Sequence, residues 1–284
     1  MEQEPVYDNL THCRTVALDA LACLADGDGH PGTLHRLRTH LRRLQAYLEL
    51  VGEDKNAEVI NGCVSRLSSL RTLQVFHHYL SQMTAPKPDR KRVKRLIQAR
   101  QAKLLRKDVF KKIERRIRHH AAPPMPTDPN WMAARFHALR EEHAQHLLQL
   151  ISQPGDRPRR KYLHILRLYV KTVRYQEEWA LHQAYARPDL VKQLKRAQEV
   201  LGKYQERTQF RTLARRYDMK SRAAIDKDWR RTRQRARAVP TQLLGPVRSM
   251  AGRRGQVVPL SRPDRRVSAL RVAQMRSHPG PQAQ

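Results

Sequence analysis

The sequence predicts an all-α protein in two similar halves, and three features carry that prediction. Apolar residues recur with the helical period along most of the 284 residues. Clusters of proline and glycine punctuate them at helix-length intervals. One basic stripe also occurs twice, Leu34 to Leu44 returning as Leu163 to Arg174, 129 residues further on. With about 100° per residue, His35, Arg38 and Arg42 fall within about 60° of one another on a helix. Leu34, Leu37, Leu41, Leu44 and Leu48 occupy the adjoining sector. The second copy sets His164, Arg167, Lys171 and Arg174 beside Leu163, Leu166, Val170 and Val173. Each stripe therefore joins an apolar seam, which needs a packing partner, to a cationic row that needs an anion or water.

Taken in order, the spacing predicts a helix over 7–25, then a break at Asp26 to Gly32. That break matches G-x-G-x-x-G at Gly27, Gly29 and Gly32, but no strand precedes it, so it reads as a loop with Thr33 as the N-cap of the stripe helix. The stripe helix runs to about Val51. One helix is expected over 56–84, ended by Pro86 and Pro88. Residues 87–120 carry fifteen Lys/Arg against three acids, and their apolar phase slips near Asp108, predicting a kink there. Residues 121–130, with four prolines, read as a connector. Helices follow over 131–152, 159–186, from Pro188 to about Tyr217, and over about 220–237. Residues 238–284, with six prolines, eight arginines and one acid, are expected to be a disordered basic tail. The expected divisions are thus 1–122, 131–237 and 238–284.

Charge selects the partners. With 57 Lys+Arg against 26 Asp+Glu, the net charge is +31, which favours polyphosphate, nucleic acid or an acidic membrane surface. Aromatics make up only 6%, few for a chain that lives by stacking on bases. Cys13, Cys23 and Cys63 have no metal or redox spacing and read as reduced thiols of a cytoplasmic protein. His77-His78 and His119-His120 are adjacent pairs on different helix faces, and His143 and His146 share a face without further ligands. No metal, cofactor, membrane span, signal peptide or catalytic constellation is expected, and the chain is read as not an enzyme.

The two stripes resemble the signatures of the CHAD domain (conserved histidine α-helical domain). His35, Arg38, Arg42 and Arg43 stand where its first His-x2-Arg-x3-Arg-Arg stands. His164, Arg167, Lys171, Arg174 and Tyr175 match the second, and Leu194-Lys195 to Leu201-Gly202 is similar to the segment that follows it. The resemblance covers about residues 5–235. It departs in the first half, where Leu67-Ser68-Ser69-Leu70-Arg71-Thr72-Leu73-Gln74 keeps the arginine of Leu-Gly-x2-Arg-Asp-x-Asp and lacks both carboxylates. Glu2-Gln3-Glu4-Pro5-Val6 lacks the lysine of the triphosphatase signature to which some CHAD domains are fused. The resemblance implies two four-helix bundles related by pseudo-twofold symmetry around a basic central groove that binds inorganic polyphosphate, and an association with polyphosphate granules.

On that basis the expected polyphosphate-binding residues are His35, Arg38, Arg42, Arg43, Arg71, His164, Arg167, Lys171, Arg174 and Lys195. The arginines and lysines would supply charge, and His35 and His164 would donate hydrogen bonds as protonated rings; helix packing through a backbone carbonyl is the alternative for the two histidines. The competing function is binding of RNA or DNA phosphates through the 87–120 segment and the tail. That reading shares the charge but lacks a recognisable readout module.

Overall fold

Helices follow from the apolar spacing over the whole of the computed structural model, which describes residues 6–121, 129–152, 160–181 and 187–250. They are α1 (Val6–Ala25), α2 (Pro31–Leu50), α3 (Asp54–Arg66), α4 (Ser68–Gln82), α5 (Lys87–Arg106), α6 (Val109–His120), α7 (Pro129–Ser152), α8 (Arg160–Leu181), α9 (Pro188–Arg216) and α10 (Arg222–Met250). There is no strand among the described residues. The kink expected near Asp108 is there: Asp108 adopts a left-handed φ of 51° between α5 and α6, a conformation an aspartate tolerates better than most residues.

Three boundaries differ from the sequence reading. The N-cap of α2 is His30, whose Nδ1 accepts from the Gly32 N–H at 3.1 Å. The Thr33 hydroxyl donates instead to Asp28 Oδ2 at 2.6 Å. The helix expected over 56–84 is two, broken at Leu67. Apolar spacing runs through the break (Val64, Leu67, Leu70), and no proline or glycine marks it. Ending α3 frees carbonyls that a continuous helix would bond, and the Val64 carbonyl accepts from the Ser68 hydroxyl at 3.0 Å.

The third difference is the end of α10. Residues 238–250 are helical, not a disordered tail, and Pro240 and Pro246 lie inside the helix. Val239, Leu243, Val247 and Met250 are buried against α7, α8 and α9 side chains such as Leu147, Leu166 and Leu201. Each internal proline costs about 3 kcal/mol. Four buried side chains of this kind return roughly 1.5–3 kcal/mol each, so burial outweighs the two missing hydrogen bonds. Residues 251–284 of the expected tail lie outside the described residues.

The core crosses from one half into the other. Met132, Phe136 and Leu139 of α7 and Tyr175 and Trp179 of α8 belong to the same apolar cluster as the α1, α2, α3 and α6 side chains. Trp179 packs on Tyr47 with ring centres 5.1 Å apart and donates its indole N–H to the Arg43 carbonyl at 3.0 Å. The two stripe helices, α2 and α8, therefore pack on each other. A second tie joins α5 to the start of α10. Buried Asp89 accepts from the Ser221 N–H and hydroxyl at 2.9 and 2.7 Å and from the Lys220 N–H at 3.3 Å.

A chain ending at Arg237 should lose the α10 burial. We expect it to melt well below a chain ending at Met250, by several kcal/mol in chemical denaturation. Equal stability of the two would mean that residues 238–250 add nothing to the core.

Candidate anion-binding site

The two apolar seams do what their spacing requires. Leu34, Leu37, Leu41, Leu44 and Leu48 on α2 are wholly buried, as are Leu166, Val170 and Val173 on α8. Burying both seams turns the flanking rows toward a common space. Arg38 and Arg42 come from α2, Arg167 and Lys171 from α8, and Arg71 joins them from α4. Each of these cations feels at least one of the others or their shared counter-charge, Glu206 of α9.

Two of the arginines are held mainly by neutral acceptors. Arg38 Nη1 donates to the Val64 carbonyl at 2.5 Å and to Ser68 Oγ at 3.1 Å, so the break between α3 and α4 supplies both of its partners. Arg42 Nη1 donates to Gln45 Oε1 at 2.6 Å and Asn61 Oδ1 at 2.8 Å, and Gln45 in turn donates to Glu49 at 2.7 Å. Arg71 reaches the Pro31 carbonyl at 3.3 Å. Such acceptors orient a guanidinium without cancelling its charge. Nε of Arg42 and of Arg167 is buried with no hydrogen-bond partner.

The electrostatics record the consequence. Burial, then Arg42, Arg71 and Arg167, push Arg38 down to about 9, still charged at neutrality. Burial pulls Arg42 down to about 10, with Tyr175 and Glu49 opposing and Arg167 adding to the fall. Lys171 is held well below the ordinary lysine range, by burial first and then by Arg42, Arg167, Arg38 and Arg174. Glu206 is pushed up by burial, against the pull of Arg207, Arg167, Arg71 and Lys203. Two like charges about 7 Å apart repel by roughly 2 kcal/mol at an effective dielectric near 20. Five cations facing Glu206 and Glu49 thus hold an excess of positive charge that an external anion would relieve.

The remaining expected residues stand further out. His35 is exposed at the edge, beside Arg71 and Arg38; burial and then these two arginines lower its pKa, so without an anion the neutral ring is favoured. His164 is half-buried on α8. Arg174 is buried, paired with Glu178 at 2.6 Å and stacked over Tyr175 at 4.1 Å, so its charge is largely met within the protein. Arg43 turns to the α1 side, where it hydrogen-bonds Cys13 and faces His40. Lys195 is exposed on α9, about three turns from Glu206. Gln45, Glu49, Asn61 and Ser68 were not expected at the site. Only Gln45 had a signal, its i+3 spacing from Arg42.

His143 and His146 have packing roles. His143 pairs with Tyr169 Oη at 2.7 Å and with Gln176, and the His146 ring lies 4.4 Å from the Tyr169 ring. Among the described residues, no three His, Cys, Asp or Glu side chains converge as metal ligands. No helix of the described residues is long and apolar enough to cross a membrane.

The family model described as CHAD domain matches residues 12–215. Among solved structures, the chain is similar to the crystal structure of the CHAD domain from the plant Ricinus communis. The TM-score is 0.56 at 18% identity, over 86% of this chain and 89% of that one, a likeness of fold. No curated protein matches the chain.

Lys171→Met removes a half-buried like charge and should stabilise the ligand-free protein by about 1–3 kcal/mol. A lysine with a depressed folded pKa binds fewer protons folded than unfolded. Its stability penalty is therefore largest below that folded pKa, and stability climbs with pH from there toward 10.5. Thermal melts from pH 7 to 10 should show a shallower climb in Lys171→Met than in the wild type. A less stable variant with an unchanged slope would mean that the Lys171 charge is satisfied inside the protein.

Proposed function

The chain belongs to the CHAD domain family, and from that premise and the shared cationic cluster we propose that it binds inorganic polyphosphate non-catalytically and associates with polyphosphate granules. The observation that carries this reading is the convergence of the half-buried Arg38, Arg42, Arg71, Arg167 and Lys171 with few carboxylates to meet them. A ligand suited to that space offers many accepting oxygens and repeated negative charge. Polyphosphate offers nothing else. Forked guanidinium groups bind such oxygens in pairs, and Lys171 serves as a point charge. The ring nearest the cluster, Tyr175, is already covered by Arg174 at 4.1 Å, so a nucleobase gains no stacking surface there.

Nucleic acid is the second reading, and the segment 87–120 favours it. Its fifteen Lys/Arg face three acids. Of those acids Asp89 is turned inward to Ser221 and Glu114 is paired with Arg118. Competition between long polyphosphate and RNA at matched phosphate concentration separates the two. Polyphosphate should displace RNA, and the reverse order would favour the nucleic-acid reading.

If the two stripes form one binding surface, Arg38→Glu/Arg42→Glu and Arg167→Glu/Lys171→Glu should weaken polyphosphate binding alike. Charge-assisted hydrogen bonds contribute roughly 1.5–3 kcal/mol each, so each pair should cost on the order of a hundredfold in affinity. The salt dependence should also flatten, by about 0.7 per lost contact on the scale of a flexible single strand. Circular dichroism checks that the helices persist. Unchanged affinity in both folded variants would remove the cluster from function.

A further inference from the structure

A second group of cations lies away from the cluster, on another flank of α4. His77 follows Arg71 by six residues, roughly 9 Å along the helix and some 120° around it. It faces the first two turns of α5, where Lys87, Arg90, Lys91 and Lys94 stand at i, i+3, i+4 and i+7 and so share one face. Together these five side chains line a cleft of about 190 Å³.

The rim of the cleft is uniformly cationic. Like charges at these spacings repel along a helix, and among the described residues none of the four α5 cations has a carboxylate partner. Asp89, the one acid within the stripe, directs both oxygens inward to Ser221 and Lys220. The Arg90 Nε is buried with no hydrogen-bond partner. The first turn of α5 adds the positive end of a helix dipole. Burial, then Lys94, Arg90 and His78, hold the His77 ring below its ordinary range, the direction an anion in the cleft would reverse.

We propose that the cleft between His77 and the Lys87–Arg90–Lys91–Lys94 face of α5 is a second, outer binding site for a phosphoryl oxyanion. The walls are mostly the aliphatic stems of these side chains, and their cationic heads, with no carboxylate among them, favour an anion held at the rim. The cleft is smaller than the roughly 300–1,000 Å³ of sites for drug-sized molecules, so it suits a phosphate group or a short phosphate run. No phenyl, phenol or indole ring lines it. That favours a phosphate chain over a nucleic acid, whose bases would seek stacking. Occupied together with the central cluster, the site would give each molecule two holds on phosphate chains and let it bridge them.

The test is an NMR titration of the full chain with tripolyphosphate, read at the His77 ring and compared with sodium chloride of equal ionic strength. The proposal expects a saturable His77 shift that chloride does not reproduce. Lys91→Glu/Lys94→Glu, changes at two exposed positions, should weaken that titration about tenfold or more, and Lys171→Met should leave it within about twofold. An equal response to chloride would overturn the site as open basic surface. A shift lost in Lys171→Met and kept in Lys91→Glu/Lys94→Glu would overturn it as an echo of the central cluster. Displacement of tripolyphosphate from His77 by oligouridylate at equal phosphate would overturn the ligand class in favour of RNA. Saturation at His77 with no binding at the central cluster would uphold this site and sink the central reading alone.

Discussion

Two apolar seams that must be buried, each carrying a cationic row on its flank, set the terms for the rest of the molecule. Leu34, Leu37, Leu41 and Leu44 on α2, and Leu166, Val170 and Val173 on α8, have no exposed surface. Each such side chain contributes about 1.5–3 kcal/mol on burial. That gain exceeds the roughly 2 kcal/mol of repulsion between a like-charged pair, so the seams prevail and the cations are brought together against their own electrostatics. The structure then limits the damage with dipoles. The Val64 carbonyl, Ser68, Gln45 and Asn61 accept from Arg38 and Arg42 without adding negative charge.

The surroundings of the cluster are organised differently in the two halves. Around Arg207, Arg211 and Asp228 on α9 and α10, cations meet acids directly. Arg207 pairs with Asp228 at 2.5 Å while covering Tyr79, and Arg211 pairs with Asp226 at 2.6 Å. Around Arg38 and Arg71, where the family pattern has two carboxylates, Thr72 donates to Gln209 at 3.4 Å and Gln74 donates to the Gly29 carbonyl at 3.5 Å. Neutral substitutes keep the helix contacts and leave the local potential more positive. Within the cluster, among the described residues, only Glu49, acting on Arg42, and Glu206, acting on Arg71 and Arg167, offset the positive charge.

Membership in the CHAD family gives these features a common frame, yet the plant domain of similar fold shares only 18% identity with this chain. At that distance a fold survives through its seams, because many combinations of Leu, Val and Ile fill the same space. A cationic row is bound more tightly to its positions, since moving a charge by one residue rotates it about 100° away from the cluster it belongs to.

The sequence by itself determined the helical class, the repeated stripe and the kink at Asp108, because each rests on local periodicity or on one residue's backbone preference. It also pointed to Arg38, Arg42, Arg167 and Lys171, whose phase relative to the seams is a property of a single helix, and to Arg71 through the resemblance to the family pattern. Tertiary packing decided what local rules could not. It broke the helix at Leu67, where the apolar pattern runs on unbroken but a carbonyl is needed by Arg38. It carried α10 through Pro240 and Pro246, where distant partners outweigh two lost hydrogen bonds. It also sent Arg43 to Cys13. A side chain's charge is written in the sequence, but whether a carboxylate or an empty space faces it depends on which helix lies opposite.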